Sequence, residues 1–106
     1  MVNYYDIEMV RGDTLEFYVE VDNYTGTISA VAMTCRNEFD VAIFTKTLSD
    51  GITLVSAGKY KIRVAPADTN GKTIGLYRYD IQFTIGSDKY TPLVGKLRLI
   101  EDVTTN

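Results

Sequence analysis

Residues 76–86 read Leu76-Tyr77-Arg78-Tyr79-Asp80-Ile81-Gln82-Phe83-Thr84-Ile85-Gly86. Tyr77, Tyr79, Ile81, Phe83 and Ile85 share one parity, and Arg78, Asp80, Gln82 and Thr84 share the other. Successive side chains of a strand point to opposite faces, so this stretch predicts a strand with one apolar and one wet face. Tyr79, Ile81 and Phe83 are the predicted core residues. Beyond it, Gly86-Ser87-Asp88 turns into Lys89-Tyr90-Thr91, and a last strand runs from Val94 to Ile100 with Leu97 and Leu99 on the core parity.

The same alternation recurs upstream. Tyr4 to Val10 predicts a first strand with Tyr5, Ile7 and Met9 on one side, followed by a turn at Arg11-Gly12-Asp13. Leu15, Phe17, Val19 and Val21 point inward from a second strand and Glu16 and Glu20 outward, so the two segments read as a hairpin. Asp22 to Gly26 is a loop of turn residues. Ile28 to Arg36 has a continuous apolar middle, Ala30-Val31-Ala32-Met33, as expected of a central strand or one covered on both faces. Val41 to Thr47 and the short Ile52 to Val55 come next. Lys59 to Ala65 follows with Tyr60, Ile62 and Val64 inward. Pro66 ends that strand because it cannot donate to a ladder, and residues 67–72 have room for one helical turn.

These elements predict one all-β domain over residues 1–106, a two-layer antiparallel sandwich of seven to eight strands, with a small barrel as the alternative. A chain of 106 residues that is 45% hydrophobic, with 8 Tyr and 4 Phe, buries a modest core of the residue types that suit a pleated surface.

Composition narrows the chemistry. The chain has no His and a single Cys, Cys35, which excludes an internal disulfide and leaves a transition-metal site or a His-assisted nucleophile without its usual groups. Cys35 reads as a small buried hydrophobe. Asp6 with Glu8, or Asp80 with Asp88, are the oxygen pairs open to calcium, but no loop has the Asp spacing of a calcium hand, and solvated carboxylates are the better reading. Glu16, Glu20, Asp80 and Glu101 supply acids for a glycosidase pair, yet acids on a wet strand face serve solubility more often. Gly71-Lys72-Thr73 resembles the end of a phosphate loop but lacks the upstream Gly, position 66 being Pro66. Arg11-Gly12-Asp13 reads as a turn and not as a recognition tripeptide. Asn23-Tyr24-Thr25 is a glycosylation sequon, which has no role in a chain whose opening residues carry no secretion signal.

The expected reading is therefore no enzyme, no cofactor and no metal. A net charge of −3 with scattered basic residues, apart from Lys59, Lys61 and Arg63 on one wet face, argues against a nucleic-acid partner. No apolar run approaches the roughly 20 residues that span a membrane. Tyr18, Tyr24 and Tyr90 are the candidate interface residues, since tyrosines outside a core are enriched at protein contacts and also stack on sugars.

The opening Tyr5-Asp6-Ile7-Glu8-Met9-Val10-Arg11-Gly12-Asp13-Thr14-Leu15-Glu16-Phe17 resembles the start of phage baseplate upper protein N-terminal domains. Ser49 to Leu54, Gly58-Lys59-Tyr60, Ala65 to Thr69, Gly75 to Gln82 and Tyr90 to Leu99 are similar in the same order, so the resemblance spans nearly the whole chain. It implies an immunoglobulin-like sandwich in a phage or prophage tail or baseplate. The chain would assemble in the bacterial cytoplasm and reside in the virion. Its partners would be other tail proteins or further copies of itself, and it would carry out no reaction. A carbohydrate- or cell-surface-binding module using exposed Tyr is the alternative.

Overall fold

The computed structural model describes residues 3–20 and 28–103. Nine strands and one helical turn follow each other as β1 (Asn3–Tyr4), β2 (Ile7–Val10), β3 (Leu15–Glu20), β4 (Ile28–Arg36), β5 (Ala42–Leu48), β6 (Gly51–Ser56), β7 (Lys59–Val64), α1 (Pro66–Thr69), β8 (Gly75–Ile85) and β9 (Asp88–Ile100). The alternation of residues 76–86 becomes β8, with Tyr77, Tyr79, Ile81 and Phe83 buried.

The strands form one hydrogen-bonded sheet in the order β1-β9-β8-β4-β5-β6-β7-β3, with β2 also on β9. The sheet curls. Tyr60 on β7 and Phe83 on β8 have three strands between them in the order, which would hold them about 19 Å apart in a flat sheet at normal strand spacing. Their ring centroids lie 5.6 Å apart. Val31, Met33, Cys35, Ile52, Ile62, Val64, Ile81, Leu97 and Leu99 fill the enclosed space. The order stays open, because β1 and β3 are its two ends and do not pair, so the barrel alternative does not hold among the described residues.

Several expectations are corrected. Among the described residues there are nine strands where seven or eight were expected, partly because the N-terminal segment breaks into β1 and β2. Its two parts lie parallel to β9, Asn3 opposite Leu93 and Ile7 opposite Leu97, whereas β3 runs antiparallel to β7. The turn at Arg11-Gly12-Asp13 therefore joins no hairpin. It carries the chain from one end of the strand order to the other. Pairing is mostly antiparallel, with parallel exceptions at β1–β9, β2–β9 and the brief β5–β6 contact. Tyr5, expected inward, is exposed. Residues 89–91 and 94–100 belong to one strand, β9. It absorbs Pro92 at an irregularity where Ile81 opposite Leu93 gives way to Phe83 opposite Tyr90, a place where a missing N–H costs no ladder bond.

The turns are fixed by specific contacts. Gly12 has φ +84, and its N–H donates to the hydroxyl of the buried Thr69 at 2.8 Å. Arg11 donates through Nε to Asp102 at 2.9 Å and through Nη1 to the Lys72 carbonyl at 3.1 Å, tying that turn to the segment after α1 and to the end of β9. The guanidinium holds the Asp102 carboxyl below its ordinary pKa. The Tyr77 hydroxyl, at the start of β8, donates back to the Thr73 carbonyl. Asp68 accepts the Ala65 N–H at 2.7 Å and faces Lys46 Nζ at 2.6 Å, which anchors α1 onto β5.

Candidate interface

Among the described residues the strand order leaves β3 with a ladder on one side only. Its outer face carries Glu16, Tyr18 and Glu20, and its inner face Leu15, Phe17 and Val19. On the paired side Glu16, Tyr18 and Glu20 stand opposite Arg63, Lys61 and Lys59. Glu16 lies 3.4 Å from Lys61 Nζ and 3.9 Å from Arg63 Nε, and Lys59 Nζ sits 5.1 Å from the centre of the Tyr18 ring. Glu20 takes no ion-pair partner among the described residues.

Beside this edge runs a groove of about 350 Å³, walled on one side by Phe17 to Glu20 and on the other by Asn3, Tyr4, Tyr5, Pro92 and Leu93. Tyr4, Tyr5 and Tyr18 are 81%, 53% and 58% exposed, so three large rings face solvent around one depression. The far wall depends on Gly95. A Cβ there would run into the carbonyl oxygen of Tyr5, and only glycine lets the chain before β2 lie so close to β9. Tyr5 then donates its N–H to the Val94 carbonyl at 3.0 Å and accepts the Tyr79 hydroxyl at 2.5 Å.

Of the three candidate tyrosines, the structure places Tyr18 on this edge. Tyr90 lies on β9 opposite Phe83 and does not line the groove. Tyr24, with its sequon and loop, lies outside the described residues. Tyr4 and Tyr5 were missed as candidates. The alternation put Tyr5 on the core parity, and no local signal announces a break between β1 and β2.

A second depression, about 570 Å³, lies on the outer face of β4, β8 and β9. There Asp40 is held by Arg78 at 2.6 Å, Asp6 accepts the Lys96 N–H at 3.0 Å, and Asp80 stands with Thr34 and Lys96 on the wall. Asp88 sits at the far end of β8–β9 opposite Ile85, so Asp80 and Asp88 are not brought together. Among the described residues no three acidic, Cys or His side chains gather where a metal ion would bind, and no helix is long and apolar enough to cross a membrane. Cys35 is buried and its thiol is pushed up to about 12 by desolvation, so it offers no thiolate near neutral pH.

No family model matches the chain. No curated protein matches it. Solved structures do. The endo-β-1,4-mannanase from Thermotoga petrophila superposes with TM-score 0.64 at 11% identity, over 91% of this chain and 18% of the enzyme. A putative glycoside hydrolase from Bacteroides vulgatus superposes with TM-score 0.55 at 16% identity, over 91% and 16%. The chain thus spans less than a fifth of either enzyme. The extracellular domain of the voltage-gated sodium channel β4 subunit, described as a parallel homodimer with a role in cell–cell adhesion, gives TM-score 0.50 at 12% identity over 94% of this chain and 93% of that one. At such identities the likeness speaks for the fold alone: an all-β chain with an immunoglobulin-like neighbour.

Proposed function

We propose that the chain is a structural module of a phage or prophage tail or baseplate. It acts by protein–protein association without catalysis, and its curled sheet is organised as an immunoglobulin-like two-layer sandwich. In this reading β3, β7 and β6 face β2, β9, β8, β4 and β5, and the Tyr60–Phe83 contact spans the layers. The Tyr77 hydroxyl bonded back to Thr73 supports the immunoglobulin-like assignment, because such a corner marks the same strand in that architecture.

The observation that carries the associative reading is the unpaired edge of β3 beside three exposed tyrosines. Edges and exposed rings of this kind are what interfaces bury. The tail or baseplate assignment rests on the ordered sequence resemblance. A non-catalytic role is supported by the lack of His and by the sealed Cys35 thiol. The partners are neighbouring tail proteins or further copies of the chain, met in the bacterial cytoplasm and retained in the virion.

Co-expression with the proteins encoded beside it, followed by size exclusion, tests this. Co-elution with a tail component is the expected result. Failure to co-elute with any of them, together with binding on a glycan array, replaces it with a carbohydrate-binding module. The feature favouring that second reading is the 570 Å³ depression, where Tyr4 stands with the acceptors Asp6 and Asp80 and the donors Lys96 and Arg36.

A further inference from the structure

We propose that the free edge of β3 receives an extended strand from a partner protein, and that this strand alternates basic and apolar side chains. The inference rests on the associative reading above for the occupant being a protein, and it adds where and by what chemistry that protein binds.

Along Leu15 to Glu20 every second residue directs its backbone N–H and C=O to the side away from β7, and no described segment takes them. An edge of this length is a template for another strand. It contains no Pro and no Lys, and β3 has no register shift along its pairing with β7. Its charged guards are Glu16 and Glu20 on the outer face. These decide which strands are admitted. A second copy docking antiparallel about Tyr18 would set Glu16 opposite Glu20 twice, and like charges directly opposite are destabilising. The same two carboxylates attract a strand with Lys or Arg at the facing positions, so repulsion and attraction together give selectivity.

The fold already contains one solution to this pairing problem. On the occupied side β3 is matched by β7, whose Lys59, Lys61 and Arg63 face Glu20, Tyr18 and Glu16, and whose Tyr60, Ile62 and Val64 face Val19, Phe17 and Leu15. A strand on the opposite side meets the same row of side chains on each face, because directly opposed residues share a face in an antiparallel pair. Among the described residues Glu20 has no ion-pair partner, and Leu15 and Phe17 are only partly buried, so both faces have contacts left to make. The groove beside the edge, with Tyr4, Tyr5, Pro92 and Leu93 as its far wall, gives the apolar side chains of the incoming strand a place to go. Six residues of strand are about 20 Å long.

The probe is a capped peptide with the sequence of Lys59–Val64, titrated into isotope-labelled full-length chain. The control peptide has Glu at its three basic positions. Amide shifts and slowed hydrogen exchange are expected along Leu15–Glu20 and at Tyr4 and Tyr5, with the acidic peptide at least tenfold weaker. The Glu16→Lys/Glu20→Lys double variant is expected to reverse that preference. Should this variant fold poorly beside Lys61 and Arg63, the two peptides on the unaltered chain decide alone. Equal binding of both peptides, no binding of either, shifts away from β3, or outward-directed β3 amides already protected in the free chain would each overturn the proposal. Co-elution separates it from the reading it rests on. A double variant that still co-elutes with a tail protein refutes the β3 edge and leaves tail association standing. An unaltered chain that binds the basic peptide but no tail protein keeps the edge and refutes the tail assignment.

Discussion

Phe83 is fully buried and packs across the interior against Tyr60, while its neighbour Gln82 points to the outer, half-exposed side. Removing the ring empties space that facing strands cannot easily close, so Phe83→Ala is expected to lower stability by about 3–5 kcal/mol. Gln82→Ala is expected to change it by less than about 0.5 kcal/mol. Equal shifts of the two denaturation midpoints would contradict the parity on which the core is built. Gly12 tests backbone conformation in isolation. A Cβ there meets nothing within 4 Å, yet φ is +84, so Gly12→Ala has room but adopts a disfavoured left-handed geometry. Its expected cost is roughly 1–2 kcal/mol, read by chemical denaturation. A neutral result would mean that the turn relaxes to negative φ without losing the Gly12–Thr69 bond.

β1 is the least secured strand, two residues long and held through Tyr5 against β9. Gly95→Ala pushes the Tyr5 carbonyl away and removes both the Tyr5–Val94 bond and the Tyr79–Tyr5 bond. At about 0.5–1.5 kcal/mol for each, the expected loss is roughly 1–3 kcal/mol. Faster amide exchange should be confined to residues 3–5, and exchange as fast across β8 would show that the strand is not a separate unit. Period-two alternation made β7 and β8 readable from the residues, because each has one buried face and alternation reports a face directly, whereas the continuous apolar middle of β4 pointed only to its central place in the order, between β8 and β5. Alternation says nothing about which strand lies alongside. Ile7 and Met9 look the same whether they pair with β3 in a hairpin or with β9 in parallel, and the parallel choice depends on contacts more than eighty residues apart, Ile7 with Leu97 and Arg11 with Asp102. For the same reason Tyr18 was recognisable as a surface ring, whereas its gathering with Tyr4 and Tyr5 around a groove was not.

For the whole molecule, burial raises the pKa of the Cys35 thiol and of Tyr60, Tyr77 and Tyr79, each mainly through desolvation. All four are neutral inside the fold and lose protons more readily once it opens. The unfolded chain therefore binds fewer protons at alkaline pH, and stability falls as pH rises. For Cys35 the window runs from the ordinary 9.0 to about 12. The denaturation midpoint is expected to be flat up to about 9 on that account. Cys35→Val should remove the thiol's share of the decline and leave that of the tyrosines. A midpoint unchanged up to pH 12 would contradict the burial of these groups.

The parallel seating of β2 on β9 has a mechanical consequence. Chain entering β2 at Ile7 and chain leaving β9 at Ile100 emerge at opposite ends of that ladder, in a body 45 Å long and 19 Å thin. Tension between Asn3 and Val103 runs along both strands and loads the ladder bonds together, as a sliding joint. The same tension between Val10 and Ile100, which are register partners, would peel the bonds off in sequence. Single-molecule pulling through the first pair of attachment points should meet a much higher rupture force than through the second.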